Sequence, residues 1–294
     1  MTLRPLLVAM LAVGALPRSV PAQDLLTQAK ALERRGRLDS AYTIIQRAAA
    51  AEPNRAEVHF WLGNIAGERA QQIGGLGAYG AARKCKAGFA RAVQLEPDNP
   101  DYLEGLIGYL SQAPGIVGGD RDSALVLAEA LRRIDETRGT FQMASVLLRG
   151  NRGEKARADS IMDAFGRAHE GDRVAQFRVA GHFAQSNQPE RALAIHEHLL
   201  ARDPADVVAQ YGVARNLVVV KRDARRALGL LSPLSTATPP PPSGPSYQPA
   251  AVWWRMGQAY LQLGKPDSAR TAYQQALAIA PQFRQARLSL DSLR

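Results

Sequence analysis

Apolar and small residues recur at helical spacing near the carboxyl end of the chain. They form two consecutive groups: Trp253, Met256, Gly257 and Tyr260, then Ala269, Tyr273 and Ala276. Residues three and four positions apart lie on one side of an α-helix, so each group predicts a helix with one apolar face. Gly264 separates the two helices and Pro281 ends the second, because proline cannot continue a helix. The pattern predicts a pair of helices that approach closely at Gly257 and Ala269.

The same stretch, residues 250–281, resembles the tetratricopeptide repeat, a unit of about 34 residues with the pattern W-x2-L-G-x2-Y…A-x3-F…P. Met256 stands at the leucine position and Tyr273 at the phenylalanine position. One such hairpin cannot bury its apolar face alone, so it needs neighbouring repeats. The resemblance therefore implies an all-α solenoid of tandem helix-turn-helix repeats with a right-handed superhelical twist.

Related spacing continues upstream and divides the chain into seven predicted repeats. Their approximate bounds are residues 23–55, 56–99, 100–136, 137–171, 172–205, 206–234 and 250–282. We expect Pro233 to end the sixth repeat, a proline-rich loop to cover 235–249, and the seventh repeat to pack back onto the sixth. Residues 283–294 are predicted to form a capping helix with Phe283, Leu288 and Leu290 on its apolar side.

Two repeats have lengthened, glycine-rich turns at residues 74–80 and 114–120. Gly75 to Gly80 satisfies the G-x-G-x-x-G pattern, which binds dinucleotides only where it joins a β-strand to a helix. The preceding segment has a helical pattern, so we interpret the glycines as a turn between helices. Whether these loops or the proline-rich loop bind a partner stays open.

The first 22 residues have the pattern of a secretory signal peptide. Arg4 precedes the apolar run 6–16, which is too short for an ordinary membrane span, and small residues precede a cleavage site after Ala22. The alternative is a buried amino-terminal helix. Cleavage would place the mature protein in the periplasm or outside the cell. No other segment has the length and hydropathy of a membrane span.

The charge and the single cysteine narrow the class of function further. The formal net charge is +10, but the basic residues are spread over most predicted helices, whereas a nucleic-acid footprint clusters on one face. We therefore predict no nucleic-acid partner. Cys85 is the only cysteine, so no internal disulfide can form. The histidines lack the spacing of a zinc site and no catalytic serine motif occurs, so no metal, cofactor or catalytic residue is predicted.

The resemblance implies that certain positions of each first helix face a concave groove. At the fifth repeat position these are Leu26, Phe60, Glu104, Phe177, Tyr211 and Trp254, and at the ninth they include Asn64, Arg215 and Gln258. The aromatic residues could grip a peptide, and the polar ones could bond its backbone or a carboxylate. Alternatively, the aromatic side chains pack against the next repeat or the inserted loops. The candidate groove residues are Phe60, Asn64, Phe177, Tyr211, Arg215, Trp254 and Gln258.

These observations favour a non-enzymatic scaffold of the bacterial cell envelope that binds a protein or peptide segment. One alternative is a structural component of an envelope complex, recruited through its basic surface. Another is an enzyme whose acidic and basic groups converge only in the folded chain. The partner and the oligomeric state do not follow from the sequence.

The predicted cleavage after Ala22 is tested on the protein purified from its native host. We expect amino-terminal sequencing to read from Gln23, because the small residues before it suit a signal peptidase. A mature chain that begins before Gln23 would contradict this.

Overall fold

The described residues form α-helices joined by short connections. The computed structural model describes residues 22–237 and 248–293, and no β-strand occurs within them. The predicted signal peptide, apart from its last residue Ala22, and most of the proline-rich loop lie outside these ranges. The predicted all-α architecture of stacked helical repeats is confirmed.

The first compact unit extends to Asp135 and contains consecutive pairs of helices that pack together. Its helices are α1 (Ala22–Arg34), α2 (Leu38–Ala51), α3 (Ala56–Ile73), α4 (Tyr79–Leu95), α5 (Pro100–Gln112) and α6 (Arg121–Ile134). Short 3₁₀ turns occupy the two glycine-rich connections, at Leu76–Ala78 and Gly115–Val117. Because the first of these turns lies between two helices, the glycine pattern lacks the strand that a dinucleotide site requires.

The second compact unit begins at Glu136 and repeats the same arrangement. Its helices are α7 (Glu136–Leu148), α8 (Arg152–Ala168), α9 (Arg173–Gln185), α10 (Pro189–Arg202), α11 (Val207–Val219), α12 (Ala224–Thr236), α13 (Pro249–Gln262), α14 (Pro266–Ile279) and α15 (Arg284–Asp291). Each helix of this unit packs against the one that follows it. Within this unit the paired helices thus form a continuous stack.

Small residues set the distance between paired helices. A Cβ atom added at Gly257 on α13 would lie 2.3 Å from the ring of Tyr273 on α14, and that ring is only 1% exposed. In the first unit, a Cβ atom at Gly88 would lie 2.6 Å from the backbone nitrogen of Gly63. Neither site has room for a larger residue, so glycine permits the close approach that the sequence predicts.

The last hairpin packs onto its neighbour despite the long connection before it. Val252, Met256 and Ala259 of α13 share one apolar core with residues of α11 and α12. Gln262 also donates a hydrogen bond of 2.7 Å from its side chain to the carbonyl of Val218. The expected contact between residues 250–281 and the preceding repeat is confirmed.

Three local expectations are wrong. Pro233 lies inside α12, which continues to Thr236, and Ser235 and Thr236 donate side-chain hydrogen bonds to the carbonyl of Ser232 in its last turn. Leu288 is expected on the apolar side of the capping helix, but it is 58% exposed. The buried residue of α15 is Ala286, whose small side chain suits the contact with α14. The glycine-rich turn predicted at residues 74–80 is shorter, because α4 already begins at Tyr79.

Asp206 joins two first helices of the second unit. Its carboxylate accepts the backbone N–H groups of Val208 and Ala209 and so caps α11. It also accepts two hydrogen bonds, of 2.5 and 2.8 Å, from Arg173 at the start of α9. Burial alone would raise the pKa of Asp206, but the bonds from Arg173 and the backbone hold it below its usual value. The pair fixes the ends of α9 and α11 relative to each other.

Replacing Gly257 with Ala tests the close approach of α13 and α14. We expect a loss of about 1–3 kcal/mol in the free energy of unfolding, because the added methyl group collides with the buried ring of Tyr273. Gly229→Ala is the matched control. Gly229 lies on α12 with nothing within 4 Å of an added Cβ, so the change should stabilise the chain by about 0.5–1 kcal/mol. Urea unfolding measures both, and equal effects of the two changes would refute the packing argument.

Candidate functional site

The second unit contains a cleft of about 1030 Å³ along its first helices. We call it the second-unit cleft. Its lining residues come from α7, α9, α11 and α13, with additions from the start and middle of α10: Phe141, Ser145, Leu148, Arg173, Val174, Phe177, Arg178, Gly181, His182, Ala184, Gln185, Pro189, His196, Val208, Gly212, Arg215, Asn216, Val219 and Arg255. Four consecutive hairpins therefore contribute to one concave surface.

The lining of the cleft follows the spacing of the repeats. Helix α9 contributes eight lining residues. Five of them lie three, four, three and one residues apart: Val174, Phe177, Gly181, Ala184 and Gln185. This spacing places them on one face of the helix. It also matches the second, fifth, ninth, twelfth and thirteenth repeat positions when Arg173 is taken as the first. Phe177 and Arg215, two of the sequence-predicted groove residues, both line this cleft.

Phe177 lies at the centre of an aromatic and cationic group. Its ring centroid is 5.7 Å from that of His196, and the guanidinium of Arg173 lies 4.6 Å from the Phe177 ring. On α7, Phe141 has Arg178 5.5 Å from its ring. Aromatic faces attract cations, so these arginines are held against the wall of the cleft. The result is a surface that offers both apolar area and positive charge.

Arg215 of α11 and Arg255 of α13 are the partly buried cations of the cleft. Burial lowers the pKa of each guanidinium, and the nearby charge of Arg215 lowers that of Arg255 further. Arg255 donates a hydrogen bond of 2.8 Å to the side chain of Gln258, while its Nε is buried without a partner. Within residues 22–237 and 248–293, nothing accepts a hydrogen bond from the side chain of Arg215.

The other sequence-predicted residues of the second unit lie outside the lining of the cleft. Tyr211 is 6% exposed in the core between α11 and α13, where it interacts with Arg255. Gln258 supports Arg255 from α13. Trp254 faces α15, where its Nε1 donates a hydrogen bond of 3.0 Å to Ser289 and its ring meets Phe283 edge-on. These contacts of Trp254 match the alternative in which the aromatic residue packs against the next helix.

The two predicted groove residues of the first unit lie in different surroundings. Phe60 packs between Phe89 and Tyr102, with ring centroids 5.7 and 5.0 Å away. Asn64 lines a separate cavity of about 660 Å³, which we call the first-unit cavity. Glu68, Glu104 and Tyr109 are among its polar lining residues, and Val117 of the inserted turn closes one side. The structure brings Phe177 and Arg215 together and places Phe60 and Asn64 elsewhere.

Sequence reasoning missed Phe141, His196 and Arg255. Phe141 lies in residues 137–171, where the repeat register could not be assigned. His196 occupies the position that Tyr273 holds in the last hairpin, and its ring packs on Gly212, where an added Cβ atom would lie 1.9 Å away. Arg255 follows Trp254, at a repeat position that the groove pattern does not include. The signal that the sequence offers for Arg255 is an arginine within the apolar pattern of a first helix, between Trp254 and Met256.

The described residues offer little for catalysis. Burial raises the pKa of the Cys85 thiol to about 12, which leaves it protonated and unreactive at neutral pH. His182 contacts Asp159 at 2.9 Å, but its side chain has no hydrogen bond to a serine, threonine or cysteine in the part of the chain described. Residues 22–237 and 248–293 hold no group of three potential metal ligands. None of their helices combines the length and the apolar character that crossing a bilayer requires.

Comparisons with known proteins agree with this architecture. The family model of the tetratricopeptide repeat matches residues 250–283. A tetratricopeptide repeat protein from Parabacteroides merdae ATCC 43184 is 15% identical, with a TM-score of 0.58 over 93% of this chain and 98% of that chain. The chain therefore carries a tetratricopeptide repeat at residues 250–283 and has the fold of a tetratricopeptide repeat protein.

Two further solved structures are more distantly similar. The assembly chaperone of RpL4, Acl4, is 14% identical with a TM-score of 0.45 over 94% of this chain and 96% of that chain. YrrB, a tetratricopeptide repeat protein with an unusual peptide-binding site, is 14% identical with a TM-score of 0.42 over 69% of this chain and 97% of that chain. No curated protein matches the sequence significantly.

His196 makes the stability of the second unit depend on pH. Burial lowers its pKa from 6.5 to about 4, and the charge of Arg215 acts in the same direction, against smaller opposing effects of the Ala192 carbonyl and Asp206. Between pH 6.5 and 4 the unfolded chain therefore binds this proton more readily than the folded chain. The contribution of the neutral His196 ring to the free energy of unfolding is fully present above pH 6.5. It decreases as the pH falls towards 4, by up to about 3 kcal/mol.

The variant His196→Phe isolates this effect. We expect the difference in unfolding free energy between wild type and variant to change by about 3 kcal/mol from pH 7 to pH 4, to the disadvantage of the wild type. Urea unfolding at both pH values measures it. His198 is about half exposed, so His198→Gln should keep the pH dependence of the wild type. If His196→Phe and wild type lose stability in parallel, His196 is not the responsible group.

Proposed function

We propose that the protein is a non-enzymatic interaction scaffold that holds an extended segment of a partner protein in the second-unit cleft. The observation that carries this proposal is the common lining of the cleft by α7, α9, α11 and α13. Repeat proteins of this class bind partners on concave surfaces of this kind. Phe141 and Phe177 supply rigid apolar contact area, and the polar side chains beside them can bond a peptide backbone.

We further propose that the scaffold acts in the bacterial cell envelope, in the periplasm or outside the cell. This part rests on the signal-peptide pattern of residues 1–22. The absence of a disulfide does not conflict with export, because apolar cores join α1 to α3 and α11 to α14 without one.

The two other functions have less support. The alternative of recruitment through a basic surface has less support because carboxylates neutralise some of the surface arginines. Examples are the pairs Arg69 with Asp39 and Arg226 with Glu197. An enzymatic function would need a nucleophile or a substrate-polarising group near a titrating partner. His182 lines the cleft and contacts Asp159, which is not a lining residue, and this pair lacks a hydrogen-bonded nucleophile among the described residues.

Peptide selection tests the proposed binding. A library of random dodecapeptides, each flanked on both sides by fixed residues, is selected on the immobilised mature chain. Fluorescence anisotropy then measures the affinity of the enriched peptides for wild type and for Phe177→Ala. We expect Phe177→Ala to weaken binding about tenfold or more, because it removes the central aromatic contact of the cleft.

Phe60→Ala is the matched control. It removes the same side chain from the same repeat position of the first unit, where Phe60 packs on Phe89 and Tyr102. We expect the selected peptides to bind this variant within about twofold of the wild type, because neither Phe60 nor its ring partners Phe89 and Tyr102 line the cleft. A selection without converging sequences, or peptides that bind Phe177→Ala as well as the wild type, would refute the proposed cleft.

A further inference from the structure

The positive charge of the second-unit cleft has no counterpart in its lining. Arg173, Arg178, Arg215 and Arg255 line the cleft, and its described lining residues include neither Asp nor Glu. Arg173 is already paired with Asp206, and Arg178 lies over the ring of Phe141. Arg255 likewise lies over a ring, that of Trp254, with its guanidinium carbon 4.2 Å from the ring centroid. Neither Arg215 nor Arg255 has an ion pair with a carboxylate among the described residues, so the two like charges lie together in the cleft without a neutralising partner.

Burying two like charges together is unfavourable for the free protein. Removal from water disfavours the charged form, and the repulsion between the two groups adds to this cost. The Arg255 Nε is buried without a partner, and its hydrogen bonds go to neutral groups, Gln258 and Tyr211. Arg226, in contrast, is paired within the protein. It makes two hydrogen bonds, of 2.6 and 2.7 Å, to the carboxylate of Glu197.

An anion bound between Arg215 and Arg255 would offset both costs. A carboxylate accepts hydrogen bonds from a guanidinium in a geometry that suits the two planar groups, and such bonds strengthen away from water. Phe177 and Phe141 lie along the same cleft and provide apolar contact for the neighbouring residues of a chain. The site therefore matches a polypeptide that carries carboxylates better than a small inorganic anion.

We propose that the partner segment is acidic, and that an Asp or Glu side chain within it binds between Arg215 and Arg255. This inference rests on the proposed function of the cleft. Arg178 of α9, Arg215 of α11 and Arg255 of α13 have no ion pair with a carboxylate among the described residues, so several acidic side chains along an extended segment meet the charge more completely than one terminal carboxylate does. The occupant we expect is an internal acidic stretch of a protein.

The flanked peptide library supplies the probes, because its members have no free carboxyl terminus. We expect the peptides that require Phe177 to be rich in Asp and Glu. Replacing their Glu by Gln should weaken binding to the wild type about tenfold or more by anisotropy, since each replacement removes a carboxylate from the cleft. The same replacement should change binding to the double variant Arg215→Gln/Arg255→Gln by less than about threefold.

Arg225→Gln is the charge-matched control. Arg225 is an exposed residue of α12 outside the cleft, so the variant should keep the wild-type preference for Glu over Gln. Circular dichroism and urea unfolding monitor the fold of the double variant. We expect its unfolding midpoint to be no lower than that of the wild type, because the change removes two poorly compensated buried charges. If the double variant does not fold, the single variant Arg215→Gln takes its place.

The outcomes separate the two proposals. Peptides that require Phe177 but are neutral or basic overturn the acidic segment and leave the scaffold function standing. The same holds if the Glu-to-Gln loss is equal in the wild type and the double variant, or if Arg225→Gln abolishes it as well. A parallel library with free carboxyl termini that alone yields cleft-dependent peptides would identify a terminal carboxylate instead and overturn the internal segment. If no peptide depends on Phe177, both proposals fail.

Discussion

The close approach of paired helices is the constraint on which the rest of the structure depends. Tyr273 fills the space above Gly257, and Gly88 meets the backbone of α3 directly. Alanines serve the same purpose along the second helices, where Ala41, Ala48, Ala92, Ala128, Ala192 and Ala276 are fully buried. These positions cannot accept larger residues without moving a helix. The restriction is uneven on the first-helix faces that line the cleft: a Cβ atom added at Gly212 would meet His196, whereas one added at Gly181 would meet nothing within 4 Å. The unrestricted positions can carry the side chains that suit a ligand.

The arginines of the second unit fall into two groups, those that bind a carboxylate of the protein itself and those that do not. Arg173 and Arg226 each bind a carboxylate with two hydrogen bonds and so tie one repeat to the next. Arg215 and Arg255 are more deeply buried, yet no carboxylate neutralises either one within the described residues. Stability alone would favour an apolar side chain at both positions. A carboxylate supplied by a partner, as proposed above, would neutralise both arginines.

How much of this structure can be predicted from the sequence depends on how far apart in the chain the interacting residues are. Helices and their pairing follow from local spacing, which is why the hairpin at 250–281 could be read directly and Phe177 could be assigned to the concave face. The orientation of the Trp254 side chain depends on its contacts with α15, and the exposure of Leu288 depends on how α15 packs against α14. Arg255 reaches the cleft because its side chain is long, although its position is not a groove position. Such outcomes are set by neighbouring helices, which no single repeat encodes.

The two cavities show that the fold alone does not identify the ligand. Both are lined by first helices of similar hairpins, but the lining of the first-unit cavity contains Glu68 and Glu104 and no described Arg, Lys or His. Burial, with the neighbouring Glu33, raises the pKa of Glu68, the opposite environment to that of Arg215. The same helical frame thus presents negative groups in one place and positive groups in another. Specificity lies in the inner-face side chains, so similarity to other repeat proteins at 15% identity carries over the frame and leaves the partner to be determined from this chain itself.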